Sequence, residues 1–121
     1  MPLSNAIIHI TNLRLRTLIG FNDEERIKPQ DIVINVEIHY PFTPNLVQDH
    51  VQSALDYKVI TKRIIKHVEE GQFLLLEKLT ADLLGLCSAE PVVTYCKIKI
   101  DKPHALRFAD SVSSTLEYKA D

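Results

Sequence analysis

The chain has 121 residues and a mass of 13.8 kDa, the size of one domain spanning 1–121. Hydrophobic residues make up 45% and charged residues 25%, too apolar for a disordered chain and ordinary for a globular one. Fourteen Lys and Arg against 16 Asp and Glu leave a formal charge of −2, which excludes a broad basic field and with it a dedicated nucleic-acid binder.

Residues 5–19 read as a strand. Ile8 and Ile10 alternate with His9 and Thr11, then Leu13 and Leu15 with Arg14 and Arg16, and the change of phase predicts a bulge near Asn12. Gly20 to Gln30 is a polar connection holding Asp23, Glu24 and Glu25, with a breaker at Pro29. Residues 31–40 alternate cleanly. Ile32, Ile34, Val36, Ile38 and Tyr40 point one way, as in a half-buried strand, until Pro41 and Pro44 open a loop. A helix follows with Ile60, Ile64 and Val68 in one stripe and Lys58, Lys62, Arg63 and Lys66 toward water, closed by Gly71. A second helix carries Leu76, Leu79, Leu83 and Leu86 on one stripe and ends before Pro91. Residues 92–100 alternate again, with Val92, Thr94, Cys96, Ile98 and Ile100 on one face. After a loop from Asp101 to Asp110, a last strand carries Val112, Ser114, Leu116 and Tyr118.

This order places two helices on one face of a four-stranded, mostly antiparallel sheet, an α+β domain. The outer strands are long and β-branched, and no further element is predicted to cover their edges. Such edges pair with something, so the sheet is expected to close into a β-barrel across subunits of a symmetric ring.

The remaining classes fall by counting. The longest strictly apolar run, Phe73-Leu74-Leu75-Leu76, is far too short to span a membrane. The chain does not open on a basic segment followed by an apolar core, so no signal peptide is expected. Two cysteines, Cys87 and Cys96, suit a reduced cytoplasmic protein. Three glycines leave no room for a phosphate-binding P-loop or a dinucleotide fingerprint. His9, His39, His50, His67 and His104 have no metal-ligand spacing, so no metal is expected. No nucleophile elbow surrounds any serine.

Three places remain that chemistry can use. Glu77 follows three leucines at the start of the second helix. The helix dipole alone accounts for a carboxylate there, but its neighbours set it near the core boundary. A partly buried carboxylate needs donors, which a heterocycle with a ring N–H and an adjacent amino group would supply. Tyr57 precedes the first helix, where an aromatic lid on the core with its hydroxyl in water is the commoner outcome. Lys102 follows the third predicted strand and opens the stretch Lys102-Pro103-His104-Ala105-Leu106-Arg107. That stretch is either an anion cradle or a solvated cluster.

Taken in order, Gly20 to Glu25, Tyr57, Leu76-Glu77 and Lys102 resemble the dihydroneopterin aldolase family, over about residues 6–118. Within the family the chain is similar to the branch of 2'-epimerases that act on dihydroneopterin triphosphate. The segments carrying this are Leu13 to Thr17, Gln30 to Val36, Ile38 to Pro41 and above all Asp101 to Ser113, where typical aldolases have a different, usually Gly-containing stretch. Pro103 departs from the branch pattern without touching a catalytic group.

The resemblance implies the tunnelling fold, ββααββ, with barrel rings closed between subunits and stacked, commonly as an octamer of two tetrameric rings. It implies that the Glu77 carboxylate anchors the pterin N–H and 2-amino group, with help from the backbone of Leu76. Lys102 is implied as general base through an ordered water, Tyr57 as its acid–base partner, and Glu25 as the carboxylate reaching the side-chain hydroxyls. These groups need not share one chain. His104, Arg107 and Arg16 are expected to clamp a triphosphate, since charge-assisted contacts to phosphate are strong and directional.

The implied reaction needs no cofactor, because the dihydropterin imine is itself an electron sink. Retro-aldol cleavage and re-addition on the other face of the aldehyde invert C2'. Release of the aldehyde instead gives 6-hydroxymethyl-7,8-dihydropterin and glycolaldehyde, the aldolase outcome used in folate synthesis. A non-catalytic pterin- or purine-binding ring stands as the alternative from another class. It predicts binding that survives loss of Lys102.

Overall fold

The computed structural model describes residues 3–121. Strands β1 (Ala6–Ile19) and β2 (Gln30–Tyr40) are followed by a one-turn helix α1 (Pro44–Val47) and by α2 (Tyr57–Glu70). A two-residue strand β3 (Gln72–Phe73), helix α3 (Leu76–Ser88) and strands β4 (Tyr95–Lys102) and β5 (Val112–Lys119) complete the fold. The sheet order is β3-β1-β2-β4-β5, antiparallel throughout except where β3 runs parallel to β1.

The expected bulge is present. Ile10 pairs with Val36 and Leu13 with Ile34, so Thr11 and Asn12 oppose Asn35 alone. Asn12 takes φ 56°. The Asn35 side chain satisfies the extra residue: its Oδ1 accepts from the Asn12 backbone N–H at 2.9 Å, and its Nδ2 donates to Asn12 Oδ1 at 3.1 Å. Both halves of β1 thus keep their apolar side chains on the same side as the helices.

That side is the core. Ile32, Ile34, Val36 and Ile38 of β2 and Cys96, Ile98 and Ile100 of β4 are buried against Ile60, Ile64 and Val68 of α2 and Leu79, Leu83 and Cys87 of α3. Asp56 caps α2, its carboxylate accepting from the N–H groups of Lys58 and Val59. At the other end the buried Thr17 hydroxyl of β1 donates to the Val68 carbonyl at 2.6 Å, fixing α2 on the sheet. Gly71 then leaves the helix in extended backbone.

The structure departs from the sequence reading in three places. β3 covers one end of the β1 edge, at Leu18 and Ile19, where no covering element was expected. The rest of that edge and the outer edge of β5 have no partner strand among the described residues. A turn over residues 90–93, closed by Val93 N–H to Glu90 O at 3.1 Å, precedes β4, so Val93 is buried and Val92 exposed, the reverse of the alternation. The loop opened by Pro41 and Pro44 contains α1 and a further 3-10 turn at Val51–Ser53.

Candidate active site

The connection from β1 to β2 turns at Gly20, whose φ of +126° is a conformation that side chains strongly disfavour. Its N–H is committed to the Phe73 carbonyl of β3 at 2.8 Å. A Cβ at this position would strike the carboxyl group of Glu25, which folds back over the glycine from a 3-10 turn at Glu24–Arg26. The bare glycine therefore gives that carboxylate its place.

Glu25 Oε2 receives two donors there. Lys102 Nζ, at the end of β4, lies 2.7 Å away, and Gln30 Nε2, at the start of β2, lies 3.0 Å away. Gln30 is itself pinned by donating to the Ile19 carbonyl at 2.7 Å. The ion pair is well covered, with 11% of the Lys102 side chain and 23% of the Glu25 side chain exposed. Lys102, helped by Gln30, holds the Glu25 carboxyl below its ordinary pKa, and burial opposes them without prevailing. The site thus keeps a fixed carboxylate beside a nearly enclosed amine.

This pair forms one wall of a cleft of about 340 Å³. Gly20, the leucines 74–76 and Glu77 line it from the β1 end and the start of α3, and Ser113 and Ser114 of β5 from the other side. Leu74 and Leu75 are about half exposed, while Leu76 turns into the core. Apolar side chains beside the first turn of α3, with a carboxylate in that turn, suit a flat heterocycle that offers N–H donors. Glu77 is exposed in a single chain rather than at the core boundary, as are Leu74 and Leu75 before it.

Glu25, Lys102, Leu76 and Glu77 are therefore gathered at one cleft. Tyr57 is not: it opens α2, is half exposed, and does not line the cleft. Arg16 and His104 meet elsewhere, around Asp31. Arg16 Nε lies 3.1 Å from Asp31 Oδ1, and His104 Nε2 lies 3.7 Å from Asp31 Oδ2. Arg107 stands apart from them, its guanidinium 5.4 Å from the exposed Phe108 ring. The sequence reading missed Gln30, whose role depends on a side-chain contact across the turn and leaves no periodic signal.

A model of the family described as FolB, dihydroneopterin aldolase, matches residues 8–117. The chain belongs to the dihydroneopterin aldolase family. It is 54% identical over 114 residues to the dihydroneopterin triphosphate 2'-epimerase of Escherichia coli K12, covering 94% of this chain and 95% of that protein. Identity to the dihydroneopterin aldolase of the same organism is 29% over 111 residues, covering 92% of this chain and 91% of that one. The crystal structure of E. coli dihydroneopterin aldolase in complex with neopterin superposes with a TM-score of 0.86 at 28% identity, over 93% of this chain and 98% of that one. The fold is thus the α+β tunnelling fold of this family of pterin enzymes.

Proposed function

We propose that this protein is a 2'-epimerase that converts 7,8-dihydroneopterin triphosphate into 7,8-dihydromonapterin triphosphate. The observation that carries the chemistry is the Glu25–Lys102 pair on the wall of a cleft that also presents Glu77. The difference between 54% and 29% identity favours epimerase over aldolase.

The pterin lies against the leucines of the cleft with its ring N–H and 2-amino group donating to Glu77. Its side chain runs toward Lys102. As the substrate draws Glu25 away, the Lys102 ammonium gives its proton to solvent, and the neutral amine then takes the 2'-hydroxyl proton through a water, with Glu25 orienting the hydroxyl and the water. The C2'–O bond becomes a carbonyl as the C1'–C2' bond breaks, and its electron pair passes into the C6=N5 imine. The aldehyde turns over, C1' attacks its other face, and the new alkoxide recovers the proton. Protonation of C1' before re-addition gives the aldolase products, so one site can run both reactions and retention of the aldehyde decides between them.

The unpaired edges of β1 and β5 support a ring in which each joins a neighbouring subunit, doubled into an octamer of two stacked tetramers. Tyr57, which does not line the cleft of its own chain, then serves the cleft of a neighbour.

The route is tested by running the reaction in deuterium oxide. Retro-aldol epimerisation never breaks the C2'–H bond, so the monapterin product carries no solvent deuterium at C2'. Deuterium there contradicts the mechanism.

A further inference from the structure

Beside the cleft lies a second groove, of about 400 Å³. Arg16, Lys28 and His104 reach into it around Asp31, while Glu24 and the Lys102-paired Glu25 stand on its wall nearest the cleft. Glu25 lines both the groove and the cleft, so the two meet at Glu25. A larger depression of about 650 Å³ continues past Arg16, Asp31 and His104 to Arg14. Basic side chains therefore extend outward from the point where the reacting carbons of the substrate would lie.

The groove is already charge-matched, but weakly. Arg16 and Asp31 sit opposite each other in the β1–β2 register, and the second guanidinium contact of Arg16 is to the Pro29 carbonyl at 3.0 Å. Both side chains of this pair are more than half exposed, as is that of His104. An exposed pair of this kind contributes little. Lys28 makes no ion pair among the described residues. A polyphosphate carries several charges and directional acceptors, and it would outcompete Asp31, the carboxylate paired with Arg16 and His104, for these cations.

We infer that this groove holds the triphosphate tail, with Arg16, Lys28 and His104 as its cationic contacts and Asp31 as a stand-in anion that the tail displaces. The inference rests on the epimerase reading and sharpens it. Lys28 becomes a specificity residue, Asp31 acts against binding, and Arg107 lies outside the site. Holding the tail also holds the aldehyde fragment, since the fragment carries the triphosphate.

The test compares KM for dihydroneopterin triphosphate with KM for dihydroneopterin in Lys28→Ala, Arg16→Gln and Asp31→Asn. Loss of one charge-assisted contact should reduce the preference for the triphosphate about tenfold in each of the first two variants. Asp31→Asn should increase it. A preference that moves less than threefold in both cation variants, or that falls in Asp31→Asn, overturns the inference. Titration with inorganic tripolyphosphate separates it from the epimerase reading. If the wild type turns over neither pterin, that reading fails. The groove still stands if tripolyphosphate binds the wild type and binds the Arg16→Gln/Lys28→Ala protein at least tenfold more weakly. Absence of tripolyphosphate binding to the wild type overturns the groove assignment.

Discussion

Replacing Gly20 with alanine tests how the Glu25–Lys102 pair is held. The residue sits at φ +126°, and its N–H is bound to Phe73. The backbone therefore cannot relax without breaking the β1–β3 end of the sheet. A side chain in this conformation costs about 1–3 kcal/mol. The new methyl group would also overlap the Glu25 carboxyl, which must retreat by roughly 1 Å to reach ordinary contact. That movement stretches the 2.7 Å bond to Lys102 beyond hydrogen-bonding range. A displacement of this size at a reacting group costs on the order of 100-fold in rate. Steady-state assays on Gly20→Ala should thus show kcat reduced about 100-fold, with a smaller change in KM because Glu77 and the leucine wall are untouched. Differential scanning calorimetry should show a lower Tm. Wild-type kcat together with wild-type Tm would refute the claim that the bare glycine positions Glu25.

Three further outcomes follow from the structure. Lys102 holds the Glu25 carboxyl below its ordinary value of 4.5, so the stabilisation from this pair is complete above pH 4.5 and lost as pH falls through the lowered folded value. Denaturant titrations should show Glu25→Gln less stable than wild type at pH 7, with the gap closing on acidification below pH 4.5; a gap that widens there contradicts the assignment. Burial pushes the Cys87 thiol up to about 12 and the Cys96 thiol up to about 11, so neither should react with a thiol reagent at pH 8 until the protein is unfolded. Thr17→Val leaves the buried Val68 carbonyl without its hydroxyl donor and should cost about 1–3 kcal/mol in urea unfolding while KM for the pterin stays at the wild-type value.

The strands and long helices were legible because their apolar faces repeat with the period of the element. β2 shows this best: Ile32, Ile34, Val36 and Ile38 are all buried, as their spacing requires. The bulge was legible for the same reason, since a break in phase between Ile10 and Leu13 has one simple cause. β3 was not, because two residues have no period, and Phe73 reads equally well as the approach to α3. The Val92–Val93 exchange escaped because a turn at Glu90 resets the alternation just before the strand.

For the candidate site, the family pattern pointed to Glu25, Glu77 and Lys102, which the fold brings to one cleft. Contacts between side chains distant in sequence did not announce themselves. The Lys102–Glu25 bond joins residues 77 positions apart, and Gln30 was read as part of a connection rather than as a second donor. The Arg16–Asp31 pairing depends on strand register, which only the fold fixes.

The central claim is that one cleft inverts C2' of a pterin triphosphate. The most direct measurement incubates the purified protein with 7,8-dihydroneopterin triphosphate, oxidises the mixture and resolves the neopterin and monapterin epimers by chromatography. Monapterin triphosphate should accumulate toward an equilibrium mixture with the wild type and fail to appear with Lys102→Met. Exclusive formation of 6-hydroxymethyl-7,8-dihydropterin, or no turnover of a substrate that binds, would contradict the account.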